Sequence, residues 1–76
     1  MFEKKIFSSR LLDLRIQQGI TQQELANAVG LKKSAISMIE RGERAASIEI
    51  ICALADHLSV SIDYLTGRTD NPEINR

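Results

Sequence analysis

The 76-residue chain has a single cysteine and a single histidine, and each scarcity closes a route. A lone cysteine cannot form an intrachain disulfide, so a reducing, cytoplasmic setting is the expectation. One His and one Cys offer no repeated metal-ligand spacing, and no metal site is expected. Cys52, Asp56 and His57 do lie close together, as a nucleophile and its base would. Yet Cys52 falls in an apolar stripe, where a thiol behaves as a small inert hydrophobe, while Asp56 and His57 fall toward the polar side. The four glycines are spread as helix terminators and are not gathered into a phosphate-binding loop. Neither catalysis, a cofactor nor a small-molecule ligand is therefore expected. No apolar run approaches the length of a membrane span, and Met1-Phe2-Glu3-Lys4-Lys5 is not followed by the apolar region of a signal peptide. The expectation is a soluble, unexported chain with no membrane partner. Internal repeats and low-complexity tracts are also missing, and the length suits one domain with a small core.

What is present concentrates between Thr21 and Gly42, in TQQELANAVGLKKSAISMIERG. Thr21 can accept from the first free N–H groups of a helix and Glu24 can reach back, a capping box placed where an apolar pattern begins. Leu25, Ala26 and Val29 recur at the spacing of one buried helical face, and Gly30 supplies the left-handed position that ends it. After the turn Gly30-Leu31-Lys32 a second helical pattern opens at Lys33. At about 100° per residue, Lys33, Ser34, Ser37, Met38 and Arg41 fall within roughly 140° of arc, with Ala35, Ile36 and Ile39 behind them. Two short helices joined by a Gly-containing turn make a helix-turn-helix, whose second helix lies in the DNA major groove with its N-terminal residues at base edges.

These residues, with their flanks, resemble the phage-repressor (Cro-like, XRE-type) helix-turn-helix domains. The matching motifs are Ile20-Thr21-Gln22, Leu25-Ala26, Gly30, Ile36-Ser37, Glu40-Arg41-Gly42 and, farther on, Leu58 to Gly67. The resemblance covers about Ile6 to Gly67 and rests on several separated motifs in the right order. It implies an all-α fold, a compact five-helix bundle with a helix-turn-helix (lambda-repressor-like DNA-binding domain). The implied function is sequence-specific binding of double-stranded DNA by a transcriptional regulator, a repressor acting as a homodimer on a two-fold operator. The competing reading is a protein-interaction module, such as an antitoxin or accessory subunit, with DNA binding secondary.

Near-neutral charge is the best support for that alternative, because DNA binding usually shows as a basic excess. The distribution qualifies the sum. Residues 1–45 carry eight Lys or Arg against five Asp or Glu, net +3, and residues 46–76 carry two against five, net −3. The positive half holds the second helix of the motif, which suits a protein that meets phosphate with one side.

In chain order, residues 1–5 read as a flexible N-terminus, 6–67 as the DNA-binding domain and 68–76 as a flexible tail. The first helix spans Ile6 to Gln18 on the spacing of Ile6, Phe7, Leu11 and Leu14. Ser47 caps a fourth helix whose apolar stripe is Ile48, Ile51, Cys52, Leu54, Ala55 and Leu58. Ser61 caps a last short helix, Ile62 to Thr66, closed by Gly67.

Site roles follow position by position. The resemblance implies that Lys33 and Ser34 contact base edges and that Gln22 bonds a phosphate at the start of its helix. Lys donates to guanine O6 and N7, whereas Ser donates or accepts at several bases and specifies little alone. Ser37 and Met38 share that face. Met38 either meets a thymine methyl or fills a gap against a neighbouring helix. Lys32, Arg41 and Arg44, at the turn and the far end of the helix, suit backbone phosphates, and the plain alternative for each is a solvated surface residue. Glu43 beside Arg44 is an awkward neighbour for DNA. The resemblance further implies a structural ion pair between Arg15 and Glu40, with a solvated Arg15 as the alternative. The apolar residues Val60, Ile62, Tyr64 and Leu65 of the last helix region are the expected dimer interface.

Overall fold

In a computed structural model, described here over residues 4–74, the described residues form five helices and no strand. They are α1 (Lys4–Gln17), α2 (Gln22–Val29), α3 (Lys33–Glu40), α4 (Ile48–Leu58) and α5 (Ile62–Leu65). None of them is long and apolar enough to cross a membrane.

Local chemistry sets most boundaries. The Thr21 hydroxyl accepts from the Glu24 backbone N–H at 3.0 Å, and the Thr21 N–H donates to Glu24 Oε1 at 2.9 Å, so the capping box is complete. Gly30 sits at φ +75° and passes its N–H to the Ala26 carbonyl, which ends α2 where a side chain would be strained. Ser47 and Ser61 cap α4 and α5 through their hydroxyls. Ser59 is a non-glycine residue at φ +60°, and it turns the chain from α4 toward α5.

Packing then draws the helices round one core. Phe7, Leu11 and Leu14 from α1 meet Leu25 and Ala26 from α2, Ile36 and Ile39 from α3, and Ile51, Leu54, Ala55 and Leu58 from α4. Contacts run α2 to α3 and α4, α1 to α3 and α5, and α4 to α5. Because α3 rests on both α1 and α2, its buried side is held from two directions while its other side faces out. The stripe on α4 is narrower than expected: Ile48 is 64% exposed and Cys52 half-buried, so the buried face begins at Ile51.

Two boundaries differ from expectation. Helix α1 already includes Lys4 and Lys5, the first of the described residues, which were expected to precede it; residues 1–3 lie outside the described residues. The segment after Gly67 is also anchored. Arg10 on α1 donates to the carbonyls of Tyr64 and Thr69 and to Asp70 Oδ1 at 2.7 Å, and its guanidinium stacks 4.2 Å above the Tyr64 ring. The Ser61 N–H donates to the Pro72 carbonyl at 2.9 Å. A half-buried arginine needs acceptors, and the returning backbone supplies them. Residues 75–76 of the expected tail lie outside the described residues. Gly67 marks a close approach here, for a Cβ on it would stand 2.9 Å from Ile6 Cγ2.

Candidate nucleic-acid interface

The exposed side of α3 is positioned by a carboxylate on its buried side. Glu40, the last residue of α3, is 8% exposed, and its two oxygens gather three donors. Arg15 Nε lies 2.6 Å from Oε2, while Arg15 NH2 and Gln22 Nε2 lie 3.2 and 2.9 Å from Oε1. Arg15 also donates to the Ile20 carbonyl at 2.9 Å, which ties the α1–α2 turn to the same cluster. A carboxylate with this many partners offsets its own desolvation and fixes α3 against α1 and α2. Among the described residues no buried side-chain polar atom lacks a hydrogen-bond partner.

On the outward side, Lys32, Lys33, Ser34 and Met38 are exposed, and Ser37 is half-buried. Ala35, Ile36 and Ile39 are buried beneath them. Met38 is 37% exposed and lies outside the buried cluster, on the polar face and not under a neighbouring helix. Lys32 occupies the N-cap of α3 and provides no side-chain acceptor, so the first N–H groups of this helix have no side-chain cap. The candidate base-reading residues Lys33, Ser34, Ser37 and Met38 are thus together on one face.

The candidate phosphate contacts divide. Gln22 is half-buried at the first position of α2, and its amide donates one hydrogen to Glu40 while its carbonyl oxygen and second hydrogen stay uncommitted. Arg44 is exposed. Arg41 is engaged within the chain: its guanidinium donates to Ser37 Oγ and, through two nitrogens at 3.0 and 3.1 Å, to both oxygens of Glu43. Hydrogen bonds and then charge from Arg41 hold the Glu43 carboxyl below its ordinary range, and Glu43 raises Arg41 further in return. A phosphate contact from Arg41 requires it to leave Glu43.

The expected dimer surface needs correction. Val60 and Leu65 are 6% and 0% exposed members of the core, so a second copy could reach them only by opening the domain. Tyr64 is half-buried under Arg10, and Ile62 alone of the four is exposed. The sequence pattern showed apolar residues in and before a short terminal helix but not that packing of that helix on α1 and α4 buries Val60 and Leu65. Sequence reasoning also passed over Arg10 and gave Glu43 no structural role. Nothing in their local pattern signals either contact, because the partners of Arg10 lie more than fifty residues away and the Glu43 pair depends on the turn at Gly42.

Comparison with known proteins agrees with this geometry. A family model described as Helix-turn-helix matches residues 11–65. The chain is similar to the cryptic phage CTXphi transcriptional repressor RstR of Vibrio cholerae, 31% identical over 65 residues that make 86% of this chain and 59% of RstR. It is 40% identical over 63 residues to the uncharacterized HTH-type transcriptional regulator YazB of Bacillus subtilis, covering 83% of this chain and 91% of that protein. The chain thus spans about three fifths of one relative and nearly all of the other. Among solved structures, the P22 c2 repressor in complex with synthetic operator 9T superposes with a TM-score of 0.75 at 36% identity, over 78% of this chain and 89% of that one.

Proposed function

The chain belongs to the XRE-type helix-turn-helix family, and from that membership we propose that it is a transcriptional regulator that binds double-stranded DNA through the outward face of α3. The observation that carries the reading is the two-sidedness of α3. Ala35, Ile36, Ile39 and Glu40 anchor it, while Lys33, Ser34, Ser37 and Met38 face solvent on the other side. Lys33 donates to guanine O6 and N7, Ser34 and Ser37 bond base edges, and Met38 meets a thymine methyl. Gln22, Lys32 and Arg44 hold phosphates at the two ends of the motif, which sets register without reading sequence.

One eight-residue helix reads few base pairs. A homodimer on a two-fold operator, acting as a repressor, supplies the second half-site, and Ile62 with the exposed edge of Tyr64 is the surface for it. Among the described residues His, Cys, Asp and Glu form no group of three or more that could hold a metal ion.

The test is selection of the purified chain on a pool of random duplexes at low salt, followed by a salt titration of the winner. A two-fold motif with half-sites about 10 bp apart is expected, with an affinity that falls steeply with salt. Failure to enrich any motif, with negligible binding at low salt, overturns the reading in favour of a protein partner. Lys33→Ala with Ser34→Ala separates the two: loss of about 1–3 kcal/mol of specific binding per base contact, with the fold intact, belongs to the DNA reading.

A further inference from the structure

The DNA-facing end of α3 carries a closed clamp that the proposed reading does not use. Arg41 caps the helix at φ −86°, and Gly42 follows at φ +74°. That left-handed step folds the chain back, so that the Glu43 N–H bonds the Met38 carbonyl at 2.9 Å. Residues two apart do not face each other on a helix. Here the turn brings Glu43 onto Arg41, and both carboxylate oxygens receive guanidinium nitrogens in the bidentate manner. A third interaction completes the clamp, from Arg41 NH1 to Ser37 Oγ one turn earlier on the candidate reading face.

Arg41 and Glu43 are each 54% exposed in their side chains, and an ion pair so open to water adds little to stability. Its consequence lies in what remains available to a ligand. A serine hydroxyl has one hydrogen to donate and two lone pairs. Arg41 occupies one lone pair of Ser37, and a cation beside the other disfavours a second donor. The Ser37 O–H bonds no acceptor among the described residues, unlike the hydroxyls of Ser8 and Thr66, which bond the carbonyls four residues earlier in their helices. Ser37 is therefore left as a donor. In the major groove, guanine O6 and N7, adenine N7 and thymine O4 accept, whereas the exocyclic amine of cytosine only donates.

We propose that Glu43 is a positioning residue for specificity: by holding Arg41 across Ser37 it withholds Arg41 from DNA and commits Ser37 to bases that present an acceptor. The inference rests on the reading of α3 as the DNA-contacting helix. It makes Arg41 an internal strut and not a phosphate ligand, and it gives an acidic residue on the DNA side a use.

The experiment is random-duplex selection and salt titration on the full chain, Glu43→Gln, Arg41→Gln and the double variant, with far-UV circular dichroism to show that these exposed changes keep the helices. Where the Ser37 hydroxyl faces the base of one strand, the natural chain is expected to disfavour cytosine on that strand at one position of each half-site, because the acceptors of that pair then lie on the guanine opposite. Arg41→Gln relaxes that position and leaves the rest of the motif unchanged. Glu43→Gln frees Arg41 for a phosphate, and the slope of log affinity against log salt steepens by about 0.9. In the Arg41→Gln background the same Glu43→Gln change gives no steepening. An unaltered motif in Arg41→Gln, no steepening in Glu43→Gln, or equal steepening in both backgrounds overturns the proposal, for Glu43 is then only a negative charge near DNA. A natural chain that enriches no motif overturns the DNA reading itself, and the clamp's role with it.

Discussion

Replacing Arg15 by methionine tests what holds α3 in place. The change preserves an unbranched side chain in α1 but removes the Nε and NH2 contacts to Glu40 and the NH1 contact to the Ile20 carbonyl. Glu40, at 8% exposure, then keeps only the Gln22 amide as a partner. Stripping one partner from a buried ion pair costs about 3–5 kcal/mol, because the survivor is a desolvated charge. A domain of this size has roughly 4–11 kcal/mol in all. The variant should therefore lose a large share of its stability, and with a urea slope of about 1 kcal/mol/M the midpoint moves down by roughly 3 M or more. Urea titration followed by far-UV circular dichroism reads this directly. Replacing both partners, as Arg15→Met with Glu40→Leu, removes the stranded charge and should recover most of the loss. A loss below about 1 kcal/mol in Arg15→Met would refute the reasoning, since it would place Glu40 in effective contact with water. So would a double variant less stable than the single one by more than the Gln22 bond accounts for.

Three further outcomes are expected. Ile39→Ala, at a site 1% exposed behind the reading face, should cost about 2–5 kcal/mol by calorimetry or denaturant titration and weaken DNA binding only through the fold. The carboxyls of Glu24 and Glu43 are both held below their ordinary value of 4.5, Glu24 by the backbone N–H and then the hydroxyl of Thr21, Glu43 by Arg41. Folded carboxyls of this kind bind protons less readily than unfolded ones, so their stabilisation is present above 4.5 and fades as the pH falls below it. Thermal midpoints should drop across that acid range, and by less in Glu24→Gln. Finally, Arg10→Leu removes the donors that fasten Thr69 and Asp70, so amide exchange and proteolysis should accelerate across residues 69–74 while α1 to α4 stay protected.

Much of the fold was legible because its signals are local. Thr21 with Glu24, Gly30, Ser47 and Ser61 act on backbone groups within a turn of themselves, so caps and stops can be read without knowing the neighbours. The two faces of α3 follow from helical periodicity alone, which is why Lys33, Ser34, Ser37 and Met38 could be grouped before any packing was known. The proximity of Arg15 and Glu40, twenty-five residues apart, came from the family pattern and not from spacing.

Tertiary structure decided the rest, through contacts that no local pattern encodes. Val60, in the connector before the four-residue helix, and Leu65 within it look like a free apolar edge, yet long-range packing makes them core and leaves Ile62 outside. Arg10 looks like any surface residue of α1 until the chain returns from Tyr64 to Asp70 and surrounds it with acceptors, which ties Thr69 and Asp70 to α1. Arg41 reads as a phosphate ligand in isolation. Only the left-handed turn at Gly42 brings Glu43 back beneath it, so that a phosphate contact requires Arg41 first to leave a partner inside the fold.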